Sequence, residues 1–123
     1  MHIIDKFLPS FYFGKKDKRR IFQKMKNILV IAGFDPSSGA GIGLDLKVIQ
    51  SLGEYGVGVI SALTCQDTSN VYDMRCVDAM FFESQLEKLL CDVKADAVKI
   101  GMIASVDIAK VVLKTIERFC LKN

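Results

Sequence analysis

The sequence predicts an α/β domain, a parallel sheet with helices on its flanks. Three observations carry that prediction. Strand-like apolar runs alternate with helix-period segments from Lys26 onward, the pattern of βαβ units. The first run, Asn27–Ala32 (NILVIA), is continuously apolar, as a strand buried on both faces must be. Apolar residues make up 50% and charged residues 25% of the 123 residues, a globular balance in a length suited to one domain.

The elements follow in order. After Asn27–Ala32 the loop Gly33–Gly41 (GFDPSSGAG) is dense in Gly, Ser, Asp and Pro. Ile42, Leu46, Ile49 and Leu52 then recur at helical spacing, and Gly53 and Gly56 mark the helix end. Val57–Leu63 (VGVISAL) is a second buried strand, and Thr64–Asn70 (TCQDTSN) is the polar loop leaving it. Val71–Val77 is expected to be a short edge strand or flap. Phe82, Leu86, Leu89, Leu90 and Val93 define a second helix, and Ala97–Ile100 (AVKI) a third strand ending at Gly101-Met102. Ile108, Val111, Val112, Ile116 and Phe119 define a last helix, with Ser105 as its N-cap.

Composition excludes several functions. The longest apolar stretch, Ile28–Phe34, falls far short of the roughly 20 residues that span a bilayer, so no membrane partner is expected. The single histidine is His2, which argues against a Ser-His-Asp triad, a Cys-His pair or a His-rich metal site. Residues 1–24 hold seven Lys/Arg against two acids, and residues 25–123 hold ten against twelve. The basic charge therefore sits on an N-terminal extension, expected to be poorly ordered, and not on the folded part where a nucleic-acid reader carries it. Met25 offers an alternative start. Cys65, Cys76, Cys91 and Cys120 show no C-x-x-C spacing, so reduced thiols in a cytoplasmic protein are expected.

In a parallel sheet, ligands bind beyond the carboxyl ends of the strands. Those ends are Gly33–Gly41, Thr64–Asn70 and Gly101–Ala104. Gly39, Gly41 and Gly43 permit close backbone approach, and the following helix start makes the loop a cradle for an anion or polar ligand. Asp45, one turn on, reaches toward that cradle or offsets the helix dipole. Gln66 offers one donor and one acceptor to a heterocycle, or satisfies loop backbone. Lys99 reads as a snorkelling surface lysine, and Met102 as core filling or a lid on a flat ring. No Lys follows the glycines as a Walker A loop requires. A dinucleotide fingerprint is met only in part, since Leu44 replaces the third glycine, while Asp67 stands where an acid would bind ribose. An oxidoreductase module remains an alternative on those grounds.

Ala32-Gly33-Phe34-Asp35-Pro36-Ser37-Ser38-Gly39-Ala40-Gly41-Ile42, followed by Asp45-Leu46-Lys47, resembles the AG-x-DPSGGAGI…DLK signature of hydroxymethylpyrimidine/phosphomethylpyrimidine kinases. Leu52-Gly53-x-Tyr55-Gly56, Ala62-Leu63-Thr64-x-Gln66 and Val98-Lys99-Ile100-Gly101-Met102 are similar to further blocks of that family in the same order. The resemblance implies a ribokinase-like fold, here truncated after about three βα units. It also implies phosphorylation of hydroxymethylpyrimidine and then of its monophosphate by Mg-ATP, in thiamine biosynthesis. Carried over, Gly33, Asp45, Gln66 and Met102 are substrate-binding residues: Asp45 bonds the hydroxyl, Gln66 pairs with the ring edge and Met102 covers the ring. Asp35, Gly39 and Gly41 shape the loop cradle. Ser38 stands where the family usually has Gly, and Gly43 and Asp67 replace its commonest Gln and Asn. Family members are much longer, so the catalytic residue and most of the ATP and magnesium site are expected outside this chain, as is any metal ligand. A truncated inactive remnant, or one piece of a split kinase, is the alternative. Pyridoxal kinase is a neighbouring reading. A homodimer is the default partner.

Overall fold

The computed structural model describes residues 25–122; the basic extension and the alternative start at its border lie outside or at the edge of that range. The elements are β1 (Asn27–Phe34), α1 (Gly41–Ser51), β2 (Tyr55–Gln66), β3 (Val71–Cys76), α2 (Ala79–Asp92), β4 (Ala97–Ile100) and α3 (Val106–Phe119).

The sheet order is β3-β2-β1-β4. β1 is central and pairs in parallel with β2 (Asn27↔Tyr55 to Phe34↔Leu63) and with β4 (Ile28↔Ala97 to Ile31↔Ile100). Its alternating side chains feed two cores. Leu29 and Ile31 join Val59, Phe82, Leu86, Leu90, Val98, Ile108 and Val112 under α2 and α3. Val30 and Ala32 join Ile42 of α1 on the other face, with Leu46 and Ile49 against them. A strand covered on both faces needs apolar residues at every position, which is why NILVIA reads as a continuous run.

The short edge strand expected near Val71–Val77 is present as β3, and it makes the sheet mixed at that edge. β3 runs antiparallel to β2, from Ala62↔Cys76 to Gln66↔Val71, with an irregularity between Cys65 and Gln66. The link Asp67–Asn70 is too short for a crossover, so only a hairpin is open to the chain. β2 therefore extends through Gln66, and the expected polar loop shrinks to the hairpin tip.

The helix ends follow local chemistry. Gly53 has φ +78°; its amide donates to Gln50 O at 3.0 Å and that of Glu54 to Ile49 O at 3.1 Å, the paired bonds of a Schellman stop. Ser105 Oγ accepts from Ile108 N at 3.2 Å, as its position predicts. The second helix starts earlier than its apolar spacing suggests, because Asp78 Oδ1 caps it by accepting from Phe81 N at 2.9 Å. After α3, Val98 N donates to Lys122 O at 2.9 Å, which places the chain along the outer edge of β4.

Candidate functional site

The carboxyl ends of β1, β2 and β4 open on one edge of the sheet. Gly33 lies at the centre of that edge. A Cβ built on it would fall 2.2 Å from Met102 Cε, so the methionine side chain lies directly over the glycine. Met102 is itself fixed from behind: the buried Ser61 hydroxyl donates to its carbonyl at 2.6 Å. Met102 stays 41% exposed, so its thioether is not spent on core filling.

On the β2 side, Thr64 Oγ1 lies 2.9 Å from Phe34 O and 2.9 Å from the Gln66 side-chain amide. Gln66 is thereby tied to the end of β1. On the β4 side, Lys99 Nζ bonds Asp45 Oδ2 at 2.6 Å. The same ammonium lies 3.1 Å from where a Gly101 Cβ would stand. Lys99 is thus folded over the Gly101 backbone to reach α1, and is not simply extended into water. Asp45 lies past the first turn of α1, which carries no acid. Its partner is a lysine, and the dipole-offsetting reading does not apply.

The loop Asp35–Ala40 differs from the open anion cradle its composition suggests. Asp35, almost fully buried, accepts from Ser37 N at 2.8 Å, Ser37 Oγ at 2.7 Å, Gly39 N at 3.1 Å and Ala40 N at 3.0 Å. The Ser37 hydroxyl, opposed by burial and joined by the three amides, holds its carboxyl below the ordinary value of 3.8. The chain's own carboxylate therefore occupies three of the loop's amides. Gly41 is needed by geometry: its φ is +61° and a Cβ would fall 2.3 Å from Gly33 O. Gly39 and Gly43 have no positive φ; Ser38 does, at 56°.

Asp67 is also committed. It accepts from Ser69 N at 2.7 Å, Asn70 N at 2.9 Å and Tyr72 Oη at 2.8 Å. Those bonds, led by the two amides, keep its carboxyl below 3.8. It closes the β2–β3 hairpin, which removes the ribose contact the dinucleotide reading requires.

Among the described residues, no group of three or more His, Cys, Asp or Glu side chains is placed to hold a metal ion. Asp35 takes the Ser37, Gly39 and Ala40 amides, so the loop does not offer those three to a nucleotide phosphate chain. A depression of about 560 Å³ lies at the opposite edge, between residues 90–96 and 119–122, at the amino end of β4.

Gly33, Met102, Gln66 and Asp45 are therefore all found on one edge. Three residues beside them escape a reading by residue type. Thr64 sits two positions before Gln66 on the same strand face, Ser61 is a polar residue in a buried strand, and Lys99 shares a strand face with Gly101. Period-2 alternation is the signal that relates the first and third to the site.

The sheet and its flanking helices form part of an α/β fold similar to that of ribokinase-like kinases. The fold matches the crystal structure of phosphomethylpyrimidine kinase from Clostridium difficile 630 with a TM-score of 0.75 and 35% identity, over 78% of this chain and 42% of that one. It matches Bacillus subtilis pyridoxal kinase, solved as an ADP complex, with a TM-score of 0.74 and 36% identity, over 80% and 39%. Residues 35–123 match the family described as phosphomethylpyrimidine kinase, and the chain belongs to that family. The hydroxymethylpyrimidine/phosphomethylpyrimidine kinase of Escherichia coli (strain K12) is 43% identical over 100 residues, 81% of this chain and 38% of that protein. The chain thus spans about two fifths of the length of such relatives.

Proposed function

We propose that this chain carries the pyrimidine-holding part of a kinase of thiamine biosynthesis, one that phosphorylates hydroxymethylpyrimidine and then its monophosphate. The observation that supports it is the grouping of Gly33, Met102, Gln66 and Asp45 around the end of β1. Gly33 leaves room for the Met102 side chain over the end of β1, where its polarizable thioether covers a flat ring. The Gln66 amide pairs with the ring edge. Lys99 holds Asp45 Oδ2, leaving Oδ1 to accept the substrate hydroxyl. The lysine and the aspartate are both partly exposed, so their attraction adds about 0–1 kcal/mol to stability; the pair matters for aiming the carboxylate.

ATP and magnesium supply the phosphoryl group and its charge neutralisation. We assign both, and the catalytic residue, to sequence of the kind that the longer relatives carry beyond the matched part. The described residues bind and orient the acceptor. Among them no helix is long and apolar enough to cross a membrane. The four free cysteines support a reducing compartment, and we propose the cytoplasm. A homodimer is the proposed assembly, checked by light scattering.

Thermal unfolding with and without 4-amino-5-hydroxymethyl-2-methylpyrimidine tests the reading. Ligand that binds only the native state raises Tm. A dose-dependent rise that disappears in Gln66→Ala is expected. A folded chain with no rise argues against a retained site. A second reading, a pyridoxal-binding site, draws on the likeness to the pyridoxal kinase fold; pyridoxal competing with the pyrimidine would favour it. The split or inactive alternative fails if the isolated chain turns over ATP above the Gln66→Ala background.

A further inference from the structure

Thr64 Oγ1 has two neighbours at 2.9 Å, the Phe34 carbonyl oxygen and Oε1 of Gln66. A threonine hydroxyl has one proton, and a carbonyl oxygen and an amide oxygen are both acceptors. One of the two contacts must therefore carry a donor on the far side. The backbone carbonyl has none to offer. The glutamine amide does, because a half-turn about its last bond exchanges Oε1 and Nε2 without altering its shape. Thr64 then gives its proton to Phe34 and receives one from Gln66 Nε2. Both bonds are satisfied, where the opposite orientation leaves one short of a proton.

We propose that Thr64 fixes the polarity of the Gln66 amide and so sets which heterocycle the site accepts. The inference rests on the reading of Gln66 as the residue that meets the ring edge. Of the two amide protons, the one anti to the oxygen is used by Thr64. The outward edge then presents the oxygen beside the syn N–H in a fixed order. With Asp45 on the hydroxymethyl group holding the ring one way round, that order complements a ring bearing an exocyclic amine next to an unprotonated ring nitrogen. It opposes a ring bearing an exocyclic oxygen next to a ring N–H, because each donor would meet a donor and each acceptor an acceptor. A free glutamine turns over and accepts either ring. One held by Thr64 does so only by breaking its bond. Thr64 is a positioning residue in this account; it touches the ligand only through Gln66.

The test measures calorimetric affinities of the full chain for the 4-amino pyrimidine and for its 4-oxo analogue. The wild type should prefer the amine strongly. Thr64→Val keeps the shape and removes the hydroxyl, and should cut the preference about tenfold. Thr64→Ser should restore it. A purely structural role for the hydroxyl would weaken both ligands alike and leave their ratio unmoved. Binding with an unchanged ratio in Thr64→Val overturns the inference and leaves the pyrimidine reading standing. A wild type that binds neither ring overturns both. Should the valine variant not fold, the ligand-free wild type still decides by NMR: one Gln66 Nε2 proton should be protected from solvent exchange and shifted away from its free-glutamine position, and two unprotected protons at free-glutamine shifts would overturn the proposal.

Discussion

Two residues of the first loop share the left-handed backbone region, and they respond oppositely to substitution. Gly41 must be glycine, because its positive φ coincides with a Cβ position 2.3 Å from a backbone oxygen that cannot move aside. Gly41→Ala should destabilise by about 3 kcal/mol, from the left-handed penalty plus the clash, as read by urea unfolding. Ser38 holds φ 56° with a side chain that prefers not to. Ser38→Gly should stabilise by about 0.5–1 kcal/mol, and a loss of stability would show that the serine makes a compensating contact. The loop glycines were legible as a group, but residue type alone does not say which of them carries the strained dihedral. Asp35 adds a pH dependence. Its folded carboxyl titrates below the ordinary 3.8, so its contribution is fully present above that value and is lost as pH falls through the lower folded value. Asp35→Asn should lower Tm at neutral pH and flatten the acid side of the Tm profile below pH 3.8. A parallel downward shift at every pH would contradict this.

Among the elements, burial separates what is costly from what is tolerant. Phe82 of α2 is fully buried among Leu29, Ile31 and Leu86. Phe82→Ala should cost about 3–5 kcal/mol, measured by denaturant midpoint. Tyr72 on β3 is 64% exposed on a strand with no buried residue, and Tyr72→Ala should cost under about 1 kcal/mol. The same contrast explains what the sequence showed. β1, α2 and α3 were legible because each has a strong apolar period against a core. β3 was legible only as a short edge strand or flap, since it contributes nothing to that core. Its direction followed from a four-residue turn, and the three polar positions Thr64–Gln66 became strand only because β3 pairs with them. The start of α2 was missed because Asp78 caps ahead of the first core residue, whereas Ser105 stood where the apolar spacing of α3 pointed.

The whole molecule gathers residues far apart in sequence onto one edge. Gly33, Gln66 and Met102 lie on it because parallel strands bring their carboxyl ends to one edge, and Asp45 is brought in by a lysine 54 residues away. The alternation of strands and helices made that edge legible before any contact was known. The contacts within it were not: Asp35 closing its own loop, Lys99 reaching α1 and Thr64 bridging to Phe34 depend on side-chain geometry that spacing does not encode. The proposed place of the pyrimidine is this edge. It is tested most directly by titrating the ¹⁵N- and methionine-methyl-labelled chain with the hydroxymethyl aminopyrimidine and following NMR shifts. Saturable changes are expected at the Met102 methyl, the Gly33 amide and the Gln66 side chain. Changes confined to the depression between residues 90–96 and 119–122, or none in a folded sample, would contradict it.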